Sequence, residues 1–211
     1  KFISSIIDKI RNDFSTVNLF NINRVSILKV FHVTNLNERF NGRLHYNTGR
    51  RINNGFIRNG HNVLTLSDRD TSHYQKNLGD LKGNNALQKK IIETFNNFKP
   101  DILVLGHADR VSNKTLEIIK DIKKETKIAQ WFLDPLSKYG PDHKTNSHRI
   151  SEKLEFIDRT FLTTDPKSIS LKIDNAHFIP NPCDKSFEIL ENFKKNCSYD
   201  VFFAMSHGVH R

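Results

Sequence analysis

"DILVLG", residues 101–106, is apolar at Ile102, Leu103, Val104 and Leu105 without interruption. A strand with one wet face alternates apolar and polar side chains. A strand covered by helices on both sides does not, and that is the pattern of a central strand in a parallel sheet. Pro100 stops whatever precedes it, because proline has no N–H to give a helix and clashes with the preceding turn. Working outward, "NALQKKIIETFNNF" (85–98) places Leu87, Ile91, Phe95 and Phe98 at helical spacing, and "SNKTLEIIKDIKKET" (112–126) does the same with Leu116, Ile119 and Ile122. "KIAQWFLD" (127–134) reads as a second buried strand.

The alternation extends in both directions. "VSILKVFHV" (25–33) reads as a first strand, rich in β-branched residues. A helix over 44–60 follows and stops at Gly60. "NVLTLS" (62–67) is the next strand. After residue 134 come a helix near 146–157, the strand "RTFLTT" (159–164), a short helix over 165–173 and the strand "AHFI" (176–179). Repeated strand–helix units predict a doubly wound α/β fold with a parallel sheet. Ligands in such sheets sit beyond the carboxyl ends of the strands, where the strand order reverses. The residues to watch are therefore Thr34 to Arg43, Ser67 to Asp70, His107 to Arg110, Asp134 to Leu136, and Thr163 to Asp165.

The bulk properties narrow the function classes. The chain has 211 residues, with 16 Phe among 36% hydrophobic residues, enough for a packed core. Its formal charge of +10 favours phosphate-bearing partners. A general bias toward Asn, Lys and Ile explains the charge equally, and no basic stripe interleaved with aromatics points to nucleic acid. Two cysteines, Cys183 and Cys197, match no metal or redox spacing and suggest a reducing compartment. No run approaches the length of a membrane span. The first residues read as a small amphipathic helix with Ile3, Ile6, Ile7, Ile10 and Phe14 on one side. Such a helix packs on the domain or lies on a membrane surface.

The loops carry the chemistry. Asn41, Gly42 and Arg43 precede the first crossover helix, where backbone N–H groups and a guanidinium can meet an anion. Neither the dinucleotide fingerprint nor the Walker A motif is present. Gly49 and Gly55 inside that helix each cost about 1 kcal/mol relative to alanine. Close packing or a ligand would offset that loss. "SDRD" (67–70) offers two carboxylates, read as a hydrogen-bonded loop or, less readily, a cation site. "GHADR" (106–110) puts His107, Asp109 and Arg110 at the end of a central strand. "WFLDP" (131–135) does so for Asp134. His107 ranks first as a proton acceptor, since imidazole titrates near neutral pH. Asp109 and Asp134 are the other catalytic candidates, and Arg110 is a candidate for ligand binding. The histidines show no metal spacing, and no metal site is expected.

At this point "NGRLHYNTGRRINNGFIRNGHNVLTLS" (41–67) resembles the opening of GT-B glycosyltransferases, and "FIPNPCD" (178–184) resembles the segment that closes their first domain. "YDVFFAMSHGVHR" (199–211) is similar to the first strand and glycine loop of their second domain. In particular the pattern resembles the group that includes spore maturation protein CgeB. The resemblance implies an N-terminal extension over 1–23, a Rossmann-like acceptor-side domain over 24–179, and a hinge at Pro180, Asn181 and Pro182. Residues 183–211 would then lead from the hinge into a truncated donor-binding domain with Ser206 and Gly208 in its loop. It implies transfer of a sugar from a nucleotide-sugar co-substrate, with no other cofactor, to a glycan, lipid or protein hydroxyl, and no nucleic-acid partner. It further implies a cytoplasmic enzyme, with peripheral contact at the inner membrane face left open, and negligible transfer by these residues alone. Two other readings stay open, a non-catalytic sugar- or nucleotide-binding α/β module and a flavodoxin- or receiver-like regulatory domain.

Overall fold

The computed structural model describes residues 26–140, 142–189, 195–199 and 201. The expected N-terminal helix, the strand near 200–204 apart from Val201, Ser206 and Gly208 lie outside the described residues.

Six strands form one sheet in the order β2-β1-β3-β4-β5-β6. They are β1 Lys29–Thr34, β2 Asn62–Leu66, β3 Ile102–Gly106, β4 Lys127–Phe132, β5 Arg159–Leu162 and β6 Ala176–Phe178. Every pairing is parallel. Among the described residues five α-helices connect them: α1 Thr48–Arg58, α2 Asp68–Tyr74, α3 Asn84–Phe98, α4 Asn113–Ile122 and α5 His143–Ser151. The order reverses between β1 and β3, so this is the switch point, and the predicted Rossmann-like α/β class holds.

The uninterrupted apolar run of β3 divides between two layers. Leu103 and Leu105 join Phe31, Val33, Leu87, Ile91, Phe95, Leu116 and Ile119 under α3 and α4. Val104 points the other way, with Val30 and Trp131, and meets Ile52 and Phe56 of α1. Burying one such side chain contributes roughly 1.5–3 kcal/mol, so both layers hold the central strand flat between them. A third cluster, Phe132, Leu136, Ile150 and Leu162, anchors α5 at the far side.

Local signals set the boundaries. Asn47 caps α1, its side-chain oxygen accepting from Arg50 N at 3.1 Å. The helix therefore starts at Thr48 rather than at 44. Its end is a Schellman motif: Gly60, at φ +83°, donates to Ile57 O, and His61 N donates to Phe56 O. Asp80 caps α3 from outside, its carboxylate accepting from Asn84 N and Ala86 N at 3.0 Å each. Two expectations are corrected. "SDRD" opens helix α2 rather than a loop. Residues 165–173 hold only a 3₁₀ turn at Pro166–Ser168. Ile169, Leu171 and Ile173 after it repeat every second residue and pack on the α5 cluster, which a helix cannot achieve with that spacing.

Past β6 the chain has no regular secondary structure through Pro180, Asn181 and Pro182, and residues 184–188 lie against α1. Arg58 donates to the Asp184 carboxylate at 2.7 and 3.3 Å, and Arg51 to Glu188 at 2.6 and 2.8 Å. Phe187 packs its ring against Tyr46 and His45. Among the described residues no helix is long and apolar enough to cross a membrane.

Candidate functional site

The carboxyl ends of β1, β3 and β4 and the amino end of α1 surround a cleft of about 240 Å³. Thr34 and Asn35 line it from β1, His107 from β3, Leu133 and Asp134 from β4, Thr48 and Gly49 from α1, and Arg69 from α2. It lies at the switch point between β1 and β3, where the topology places ligands in open α/β sheets.

Two glycines let these elements meet. A Cβ on Gly49 would lie 2.9 Å from the side chain of Thr34. One on Gly106 would lie 2.1 Å from the Trp131 ring and 2.7 Å from Thr34 Oγ1. So α1 starts hard against the end of β1, and the wall of the cleft there is backbone. Close packing explains Gly49. An added Cβ on Gly55 meets nothing within 4 Å, so close packing does not account for it. The N–H groups of Thr48 and Gly49 belong to the first helical turn, which has no acceptor of its own, and the helix dipole adds partial positive charge.

His107 sits at φ +48°, a left-handed conformation that turns the chain sharply out of β3. Its ring stacks on Phe132 at 4.3 Å and an interplanar angle of 9°. Nε2 accepts the backbone N–H of Leu133 at 3.1 Å. That bond fixes the proton of the neutral ring on Nδ1, which faces Asp134 Oδ2 at 3.6 Å. Burial lowers the His107 pKa, Asp134 opposes the shift, and Arg69 adds to it. At neutral pH the ring therefore presents an N–H to the cleft, and its lone pair is already used. The Asp134 side chain is 48% exposed.

Arg69 reaches across from α2 and pairs with Asp109 at 3.0 Å. Its neighbours Asp68 and Asp70 behave oppositely. Burial pulls Asp70 upward, but hydrogen bonds from Ser67, from Glu38 N and Arg39 N, and from the Arg39 guanidinium together hold it below the ordinary carboxylate range. Asp68 is fully buried, neither oxygen has a hydrogen-bond partner, and burial pushes its pKa up to about 6. Among the described residues no three His, Cys, Asp or Glu side chains come together as a metal-ligand set.

The sequence candidates thus separate. His107 and Asp134 line the cleft together, with Asp109 tied to its rim through Arg69. Asn41, Gly42 and Arg43 do not line it. They form an exposed turn, with Asn41 and Gly42 at positive φ and Arg43 lying over the Phe40 ring. Gly42 has nothing within 4 Å of its added Cβ, so it serves the turn itself. Arg110 faces a separate groove between α3 and α4. Sequence reading missed Thr48, although the cap Asn47 is a legible signal, and weighed Gly49 only as a helix glycine that packing or a ligand must offset. It also missed Trp131, whose indole donates to buried His32.

No protein-family model matches the chain, and no curated protein matches it. Among solved structures it resembles an alpha-glucosyltransferase in complex with UDP and a 13-mer DNA containing a central A:G mismatch, with 14% identity over 77% of this chain and 42% of that one, at a TM-score of 0.45. It also resembles an alpha-glucosyltransferase in complex with UDP, with 14% identity, 74% and 45% coverage and a TM-score of 0.45. A third is an alpha-glucosyltransferase in complex with UDP-glucose and DNA containing an abasic site, with 13% identity, 76% and 44% coverage and a TM-score of 0.46. The chain spans less than half the length of each of these proteins. Its own strand order and pairing make it a Rossmann-like α/β unit with a polar cleft at the switch point.

Proposed function

We propose that the chain is the acceptor-side half of a transferase that moves a sugar from a nucleotide-sugar to a hydroxyl. One observation carries this reading: the first turn of α1 and the Asp134 carboxylate line one cleft across the switch point. The helix N-terminus suits the phosphates of a donor. Asp134 suits the acceptor hydroxyl, taking a hydrogen bond from it and then its proton as the new glycosidic bond forms, the bond from the anomeric carbon to the diphosphate breaks and the nucleoside diphosphate leaves. The His107 Nδ1–H steadies that carboxylate. This gives Asp134, rather than His107, the part of base. Pro180 to Pro182 act as the hinge toward a donor-binding partner domain, and closure excludes water from the transferred sugar.

The test uses Thr48→Pro. Proline is well tolerated at the first helical position, and the preceding Asn47 is already extended at φ −98°, ψ 164°, so the change deletes one N–H and leaves the helix. Titrating UDP into the ¹⁵N-labelled chain is expected to shift the amides of Thr48, Gly49 and Arg50, and Thr48→Pro is expected to weaken binding several-fold at unchanged Tm. Shifts confined to other surfaces would overturn the reading.

A further inference from the structure

Beneath the loop that follows β3 lies a second, smaller cavity. It shares Arg69, His107 and Trp131 with the cleft, and Asp109, Gln130, Arg149 and Lys153 complete its polar wall. Its volume is about 20 Å³, space for a single oxygen-sized atom. Three cations and one carboxylate face it.

Two of the three cations are answered. Arg69 holds Asp109 through Nη2 at 3.0 Å, and Lys153, only 4% exposed, pairs with Glu152. Arg149 is half-buried and makes no hydrogen bond or ion pair with any described residue. In addition, the Nε–H of Arg69 is buried without a partner. A guanidinium taken partly out of water without a counter-charge loses solvation, and an anionic partner restores it. Guanidinium donors arranged around a void the size of one oxygen select an oxyanion. The imidazole of His107 is kept neutral mainly by burial; Asp134 and Asp109 favour its protonation, and Arg69 and Arg149 oppose it.

We propose that this cavity is an oxyanion subsite, which takes one oxygen of a phosphate or carboxylate group whose remaining atoms lie in the adjoining cleft. The subsite goes beyond the sugar-transfer reading and does not depend on it. It marks the molecule bound in the cleft as anionic near His107, at the opposite wall from α1.

Trp131 is the single tryptophan of the chain and lines both cavities, so its emission reports occupancy. The experiment titrates inorganic phosphate, and separately acetate, against sodium chloride at matched ionic strength, following Trp131 emission. Wild type is expected to show a saturable change with one or both oxyanions in the millimolar range and none with chloride. Saturation by phosphate alone assigns a phosphoryl group, and saturation by acetate alone assigns a carboxylate. Arg149 lines the small cavity and not the cleft, so its variants separate the two. Arg149→Gln is expected to weaken binding tenfold or more, while Arg149→Lys, which keeps the charge, stays within about threefold of wild type. Circular dichroism confirms that both variants are folded. Saturation by neither oxyanion, or equal affinity in folded Arg149→Gln, overturns the subsite.

Discussion

Trp131 on β4 donates its indole N–H to His32 Nε2 on β1 at 3.1 Å, crossing the intervening strand β3 above Gly106. Both residues are buried, His32 completely. The bond ties the wall of the cleft to the middle of the sheet, and it needs a glycine beneath it. Gly106→Ala places a methyl group where the indole lies. The expected result is a loss of about 1–3 kcal/mol from overpacking, read as a lower urea midpoint, together with a shift of Trp131 emission as the ring leaves its site.

Acid stability should report the same contact. Burial lowers the His32 pKa from 6.5 to about 4 in the folded chain. The folded state therefore refuses a proton that the unfolded state accepts. This stability is fully present above pH 6.5 and is lost as pH falls toward 4, by ~3 kcal/mol in all. Wild-type Asp68 moves stability in the opposite sense over nearly the same range, so urea unfolding of Asp68→Asn from pH 7.5 to 4 checks the window. Stability that stays constant over that range would contradict the assignment.

Asp68 runs the other way. Burial raises its pKa from 3.8 to about 6, so the folded chain keeps a proton that the unfolded chain has lost, and the penalty builds as pH rises from about 4 and is complete above about 6. Asp68→Asn removes the charge at nearly constant shape. It is expected to raise Tm at pH 7.5 and to leave it unchanged or lower at pH 4, as scanning calorimetry at the two pH values would show.

The return of the chain onto α1 rests on Arg58 and Asp184. Hydrogen bonds from Arg58, and then from Ser186, hold the Asp184 carboxyl well below the usual range. Arg58→Ala is expected to free residues 184–188 without unfolding the sheet. Hydrogen exchange should rise in that segment and in the last turn of α1, while β3 and β4 remain protected.

Much of this architecture was legible because it is local. The two-sided apolar run of β3 and the spacing of Leu87, Ile91 and Phe95 record their surroundings in their own chemistry. Helix α2 was not legible. "DRDTSHY" has no apolar stripe, and Asp70 is buried by hydrogen bonds from Glu38 and Arg39, about thirty residues earlier. The site divides in the same way. Strand ends pointed to His107 and Asp134, which do share the cleft. That the Leu133 N–H occupies the His107 lone pair depends on a turn that sequence does not display. The glycine next to the helix drew attention to Gly42, but the glycine that approaches the cleft is Gly49, made necessary by Thr34 across from it.

The central claim is that Asp134 accepts the proton of the acceptor hydroxyl. It is tested most directly by kcat/KM for sugar transfer from a nucleotide-sugar, measured in the longest natural polypeptide that contains these 211 residues. Wild type, Asp134→Asn and His107→Ala are compared after each is shown to fold. Loss of a general base lowers the rate by about 10²–10⁴-fold. The account predicts a fall of that size in Asp134→Asn and a smaller one in His107→Ala, which only steadies the carboxylate. Wild-type kcat/KM in a folded Asp134→Asn would contradict it.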